Sequence, residues 1–101
     1  MSKRAMISQP MNGKTEEEIL SVRREATAAL NAAGYEVVDT FFKDFDDSKY
    51  KNKPLAYLAK SLEAMATVDA VFFCEGWEMA RGCRAEHHAA YDYGLDILGE
   101  G

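Results

Sequence analysis

Glu86 is the last residue of a stretch whose glycines, tryptophan and carboxylates are typical of a ligand-binding or catalytic site. Residues 74–86 read CEGWEMARGCRAE and follow directly on the apolar run VDAVFF. A continuous apolar run of this length is typical of a strand buried on both faces of a parallel sheet. The turn after it contains Gly76 and Trp77, and Glu86 then falls early in a predicted helix. Because an ionised carboxylate held in position can act as a nucleophile, as in many glycosidic cleavages, this stretch is a candidate active site.

Small residues surround Glu86 on this predicted helix. Gly82 lies four residues before it, so we expect that face of the helix to approach the sheet closely and to fix the carboxylate. Free backbone N–H groups and the helix dipole at the same end favour the ionised form. The alternative is a surface carboxylate paired with Arg81 or Arg84.

The elements that must position Glu86 alternate between strand and helix. We predict strands at residues 4–9, 35–39, 68–74 and 95–98. Thr15 and Glu18 form a capping-box pattern that begins the first helix, and Gly34 is placed to end it. The apolar face of this helix is predicted from steps of three and four, at Ile19, Val22, Ala26, Leu30 and Ala33.

The middle of the chain is charged but carries three phenylalanines. Residues 40–53 read TFFKDFDDSKYKNK. A loop of this length in a small domain is either a lid or binding segment, or a solvated connection anchored by its aromatic residues. A second helix is predicted from Pro54, with an apolar stripe at Leu55, Leu58, Leu62 and Met65. A third helix is predicted from Met79 to Tyr93, with Gly94 at its end.

This alternation predicts a fold of the α/β class. We expect residues 1–101 to form a single domain, a flavodoxin-like or Rossmann-like three-layer sandwich with a four-stranded parallel sheet. Ligands of such sheets bind beyond the carboxyl ends of the strands, near the point where the strand order switches. That rule places three segments on one rim: SQPMNG at residues 8–13, the loop from Asp39, and CEGWEMARGC at residues 74–83.

Composition excludes several classes of function. Twelve basic and 17 acidic side chains give a net charge of −5, which argues against binding to polymeric nucleic acid. The apolar runs are too short to span a bilayer and the first residues do not resemble a signal peptide, so we expect no membrane partner and a cytoplasmic protein. Cys74 and Cys83 have no zinc-site spacing, and we expect reduced thiols, no metal and no cofactor.

Two motifs together resemble a known superfamily. The sequence VDAVFFCEGWEMARGCRAEHHAAYDYGLDIL at residues 68–98 and the sequence MISQPMNG at residues 6–13 resemble the nucleoside 2-deoxyribosyltransferase-like superfamily, in particular a short branch found in bacterial and phage genomes. The two motifs cover both ends of the chain and leave the middle loop unmatched.

The resemblance implies N-glycosidic chemistry on a small nucleoside or nucleotide. Glu86 occupies the position of the family's nucleophile, which attacks the anomeric carbon, and Asp69 matches an aspartate that helps to recognise the base or sugar. The turn at Gln9, Pro10, Met11 and Gly13 matches the one that lines the sugar pocket. With their neighbours on the rim, the candidate substrate-binding residues are Ser8, Gln9, Pro10, Met11, Gly13, Gly76, Trp77, Arg81 and Gly82. Members commonly assemble as homo-oligomers, and we expect the same here.

Three positions depart from the family pattern. Met6 stands where many relatives have a tyrosine beside the nucleophile, Gln9 replaces a glycine, and Ala80 replaces a serine that contacts phosphate. These departures leave two alternatives to an enzyme. One is a protein that binds a nucleoside or nucleotide derivative without catalysis, and the other is an oligomeric structural or interaction protein in which Trp77 and the phenylalanines of the middle loop serve contacts only.

Overall fold

A computed structural model describes residues 3–42 and 44–99 and confirms the predicted alternation of strands and helices. The elements are β1 (Lys3–Ser8), α1 (Glu16–Ala32), β2 (Tyr35–Val38), α2 (Lys53–Met65), β3 (Ala70–Phe73), α3 (Arg81–Asp92) and β4 (Asp96–Leu98). The third helix begins later than predicted, because Trp77–Met79 forms a separate 3₁₀ turn and Ala80 is extended.

The four strands form one parallel sheet in the order β2-β1-β3-β4. The central strand β1 places Met6 beside Val38 of β2 and Val71 of β3. The chain winds outward from β1 to β2 and then crosses to β3 on the other side, so the strand order switches between β1 and β3. This is the flavodoxin-like form of the doubly wound sheet, and the predicted fold class is confirmed.

Helices cover both faces of the sheet. Because alternate side chains of a strand point to opposite faces, Ala5 and Ile7 of β1 pack in one cluster with Leu30 of α1. Met6 points the other way and packs in a second cluster with Met65 of α2 and Ala90 of α3. The sandwich therefore has three layers, with α1 alone on one side.

Helix α1 begins and ends as predicted, but one residue of its buried face was not foreseen. The Thr15 hydroxyl accepts from the Glu18 N–H at 3.1 Å, and the Glu18 carboxylate accepts from the Thr15 N–H at 3.3 Å. Gly34 follows with a φ of 93°. The buried residues are Ile19, Arg23, Ala26 and Leu30. Val22 and Ala33 are exposed instead. The buried residues follow one another at steps of four, three and four, so the face that points inward contains residue 23 and not residue 22.

The apolar stripe predicted for α2 is also only partly buried. The carboxamide of Asn52 caps the helix by accepting from the Leu55 N–H at 3.0 Å. Met65 is buried, whereas Leu55 is 58% exposed and Leu62 is 39% exposed. The reason is rotation, since α2 turns Ala56 and Met65 inward. None of the helices in the described ranges is long and apolar enough to cross a membrane.

Candidate functional site

A cleft of about 1130 Å³ opens at the carboxyl ends of the strands. Segments that follow β1, β2 and β3 line it together with one side of α2 and the first turns of α3. Residues from each of these parts are Gln9, Thr40, Gly76, Tyr57, Gly82 and Glu86. The cleft therefore lies where the order of the strands switches, the place expected for a ligand of this kind of sheet.

Glu86 lies in the second turn of α3 and lines the cleft, with only 9% of its surface exposed. The alternative of an exposed carboxylate on the protein surface is therefore wrong. Burial raises the pKa of Glu86, while the Ser8 hydroxyl and the Arg23 guanidinium act in the opposite direction. The helix end was expected to favour the ionised form, but the net direction of the pKa is upward, because loss of hydration outweighs the groups that favour ionisation.

Ser8, rather than Met6, is the β1 residue that faces Glu86. Met6 is fully buried in the hydrophobic cluster beneath α2 and α3, whereas Ser8 lies two residues further toward the cleft on the same face of the strand. The Ser8 hydroxyl acts to lower the pKa of both the Glu86 carboxyl and the Cys83 thiol. Its Oγ is nevertheless buried without a partner at hydrogen-bonding geometry among the described residues. The Ser8 hydroxyl thus lies beside the candidate nucleophile, close enough to lower the pKa of Glu86.

Cys83 is a second buried group beside Glu86. Burial raises the pKa of its thiol to about 11, and Ser8 opposes that rise while the charge of Glu86 adds to it. Cys83 and Cys74 are both free and buried. The thiol of Cys83 is therefore protonated at neutral pH and contributes no charge to the cleft.

Arg23 is a buried cation near the cleft that the sequence analysis missed. It is 92% buried in α1, and its two terminal nitrogens donate to the Thr40 hydroxyl at 3.4 and 3.3 Å. Its Nε has no partner in the described part of the chain. Burial lowers the pKa of Arg23, whereas the negative charges of the Asp39 and Glu86 carboxylates raise it. The sequence did contain a signal of this burial. Residue 23 lies at helical spacing from the apolar residues 19, 26 and 30, so a cation there falls on the buried face of α1.

Gln9 forms the wall of the cleft at the end of β1. Its Nε2 donates to the Ile19 carbonyl at 2.9 Å, which fixes the amide, and its buried Oε1 has no partner in the described structure. Pro10 and Met11 continue this wall. A Cβ at Gly76 would meet the Pro10 ring at 3.7 Å, and the φ of 88° at Gly76 favours glycine there.

The amino end of α3 opens into the cleft. The first backbone N–H groups of any helix have no intrahelical acceptor, and the N-cap residue here, Ala80, supplies no side-chain acceptor for them. Arg81 and Gly82 line the cleft beside them, and a Cβ at Gly82 would meet nothing within 4 Å. Gly82 therefore does not serve close packing against the sheet, as was expected, but leaves open space in the cleft.

Three predicted site residues lie elsewhere. Asp69 precedes β3, where its carboxylate accepts from the Arg4 N–H at 2.8 Å. It therefore lies at the amino ends of the strands, whereas Glu86 lies at their carboxyl ends. Trp77 stacks on His87 at 4.1 Å between ring centroids. Gly13 is exposed in the turn after β1. None of the three is among the described residues that line the cleft, and neither is Ser8, which is buried beside Glu86. The expectation that Asp69 and Glu86 share a site was wrong.

The segment after β2 contributes an aromatic side to the cleft. Phe41 and Phe42 line it together with Tyr57 of α2. Phe45 packs behind, with its ring edge-on to Tyr57 at 5.0 Å and tilted toward Tyr50 at 5.6 Å. The loop is therefore anchored by its aromatic residues, as one of the two interpretations predicted, and Phe41 and Phe42 also line the cleft.

The fold and the cleft together define a doubly wound α/β domain with a candidate ligand site at its switch point. Residues 3–99 match the family model described as "Domain of unknown function (DUF4406)". The chain therefore belongs to the DUF4406 family. No curated protein and no solved structure matches it significantly.

Proposed function

We propose that this protein cleaves or transfers the N-glycosidic bond of a nucleoside or nucleotide, with Glu86 as the nucleophile. The observation that carries the proposal is the position of Glu86, a nearly buried carboxylate in a cleft at the switch point of the sheet. The resemblance of residues 6–13 and 68–98 to nucleoside 2-deoxyribosyltransferase-like proteins supports the same chemistry.

The proposed reaction has two steps, attack by Glu86 on the sugar and then displacement of Glu86 from it. A Glu86 carboxylate oxygen bonds to the anomeric carbon as the bond from that carbon to the base nitrogen breaks, and the base leaves with the electron pair and takes a proton from water. Water or a second base then displaces Glu86 from the sugar. The carboxylate is regenerated, and the incoming water or base loses one proton.

The neighbours of Glu86 have separate roles in this proposal. The Arg23 charge favours the ionised carboxylate, which is the form that attacks. Gln9, Pro10 and Met11 shape the wall beside the sugar. The uncapped end of α3, with Arg81, suits the polar or charged end of the substrate.

The test is chromatographic detection of free base after incubation with a panel of nucleosides and their monophosphates. We expect the wild type to release base and Glu86→Gln to lose at least a hundredfold in rate while keeping its fold. Glu75→Gln is the matched control, because Glu75 is an exposed carboxylate in the same cleft. Equal rates for wild type and Glu86→Gln would refute the role of Glu86.

A second candidate function is binding of a nucleoside derivative without turnover. The observation that favours it is the burial that raises the pKa of Glu86, since a protonated carboxyl is a hydrogen-bond donor and a poor nucleophile. This function predicts thermal stabilisation by the ligand with no release of base. It also predicts that Glu86→Gln retains much of the binding.

A further inference from the structure

The cleft has two chemically different sides. The segment after β2 and the helix α2 supply three aromatic rings on one side, at Phe41, Phe42 and Tyr57. The segment after β3 and the start of α3 supply charged and polar groups on the other, among them Arg81 and Glu86. Because β2 and β3 flank β1 in the sheet, these two sides face each other across the end of β1. We refer to Phe41, Phe42 and Tyr57 as the aromatic wall.

Each ring of the aromatic wall is supported by a residue outside the cleft. The Arg23 guanidinium lies 5.7 Å from the centre of the Phe41 ring, and the Lys60 ammonium lies 5.8 Å from that of Phe42. Phe45 contacts the Tyr57 ring edge-on. Arg23, Phe45 and Lys60 are not among the described residues that line the cleft, so the rings are held from behind and present their other side to a ligand.

These supports also select the charge of the ligand. A cation over one face of an aromatic ring is attracted to its electron density, and Arg23 and Lys60 already occupy that role for Phe41 and Phe42. A second cation on the open side would be repelled by the first. The wall therefore favours a neutral flat ring over a positively charged one.

We propose that the aromatic wall binds the uncharged base of a nucleoside or nucleotide by stacking. This inference rests on the proposed function and adds an orientation to it. The base lies against Phe41 and Phe42, the glycosidic bond crosses the end of β1 beside Gln9, and the sugar extends toward Glu86 and the start of α3. The cleft of about 1130 Å³ has room for a ligand of that size.

The test uses binding rather than turnover. Free adenine, cytosine and uracil are titrated into the wild type and followed by proton NMR, in which stacking on an aromatic ring shifts the base protons upfield. We expect Phe42→Ala to weaken binding by roughly 5- to 150-fold, the usual range for losing one base-stacking ring. Phe42→Trp should restore binding, because it keeps a flat ring.

Controls separate the wall from general effects. Tyr91→Ala removes an aromatic ring that is 74% exposed on α3 and outside the cleft lining, and it should leave binding unchanged. If Phe42→Ala does not fold, Phe42→Leu keeps the apolar packing and still removes the ring. Nicotinamide and its cationic 1-methyl derivative form a matched pair, of which the neutral ring should bind more tightly.

The outcomes are distinguishable from those of the proposed function. Base binding that depends on Phe42, in a protein that releases no base, would support the aromatic wall and refute the glycosidic reaction. Release of base that depends on Glu86 but is unaffected by Phe42→Ala would do the reverse. Binding of no base at millimolar concentration, or binding without an upfield shift, would overturn the inference.

Discussion

Both terminal nitrogens of Arg23 donate to a single oxygen, the Thr40 Oγ1, at 3.4 and 3.3 Å. The Thr40 hydroxyl in turn donates to the Ile7 carbonyl at 3.1 Å. These bonds connect α1, the segment after β2 and the central strand directly beneath the cleft. A buried cation is thus fixed where it acts on the ionisation of Glu86.

Replacing Arg23 with methionine should raise the pKa of Glu86 further. The guanidinium is one of the groups that lower this pKa against the effect of burial, and methionine keeps much of the side-chain volume without the charge. The measurement is an NMR titration of the Glu86 carboxyl carbon. Arg24→Met is the control, because Arg24 is the adjacent arginine and is exposed. An unchanged titration midpoint in Arg23→Met would contradict the electrostatic role of Arg23.

Glu86 should make the folded protein less stable as the pH rises. Its pKa in the folded state lies above the ordinary value of 4.5, so the folded protein holds this proton more tightly than the unfolded chain does. The contribution to stability is complete below pH 4.5 and is lost as the pH rises through the folded pKa. Urea denaturation of wild type and Glu86→Gln from pH 4 to 8 should show a stability difference that shifts in favour of the variant. A difference independent of pH would count against the raised pKa.

Gly82→Ala should stabilise the protein, by up to about 1 kcal/mol, because alanine is the better helix former. A Cβ at this position meets nothing within 4 Å and no positive φ opposes it. For a domain of this size, a change of 1 kcal/mol corresponds to a rise in Tm of roughly 4–8 °C. Gly34→Ala is the contrasting variant, since its φ of 93° should cost about 1–2 kcal/mol. A fall in Tm for Gly82→Ala would show that the open space is absent.

Asp69→Ala should weaken the fold without affecting the cleft. It removes the acceptor for the Arg4 N–H, at a cost of about 1 kcal/mol. Base release and base binding, compared at a temperature where the variant is folded, should equal those of wild type. Asp39→Ala is the matched change at the carboxyl ends of the strands. There the Asp39 carboxylate accepts from the Phe41 N–H at 2.9 Å and so supports the aromatic wall. Loss of base binding in Asp69→Ala alone would place Asp69 in ligand recognition.

The parts of this fold that could be predicted are those determined by nearby residues. The Thr15 capping box, the glycine at 34 and the apolar run before Cys74 each define an element within a few positions. The parallel topology then predicts which loops lie on the same rim of the sheet. Gln9 and Glu86 were placed at that rim in this way, and both line the cleft. The direction of β3 also places Asp69 before the strand, so its distance from that rim could have been recognised in the sequence.

The electrostatics of the cleft could not be predicted in the same way. Whether Glu86 is hydrated depends on how closely α3 lies against β1, which no local pattern records. Arg23 continues the buried series of α1, but the Thr40 hydroxyl that accepts from it belongs to a distant segment, so the helical pattern alone does not identify its partner. Phe41 and Phe42 belong to a charged stretch, and only its folding against α2 turns them toward the cleft.

The position of β1 at the centre of the sheet has a consequence for synthesis on the ribosome. β1 is the first of the four strands to emerge, and β2 can pair with one of its edges soon afterwards. The other edge must wait for β3, whose Phe73 pairs with Ser8. Such non-local parallel pairing is slow, and an unpaired apolar edge is prone to aggregation. If synthesis stalls before Phe73 has left the ribosome, the nascent chain therefore exposes one edge of β1, a strand whose last four residues are buried in the folded protein.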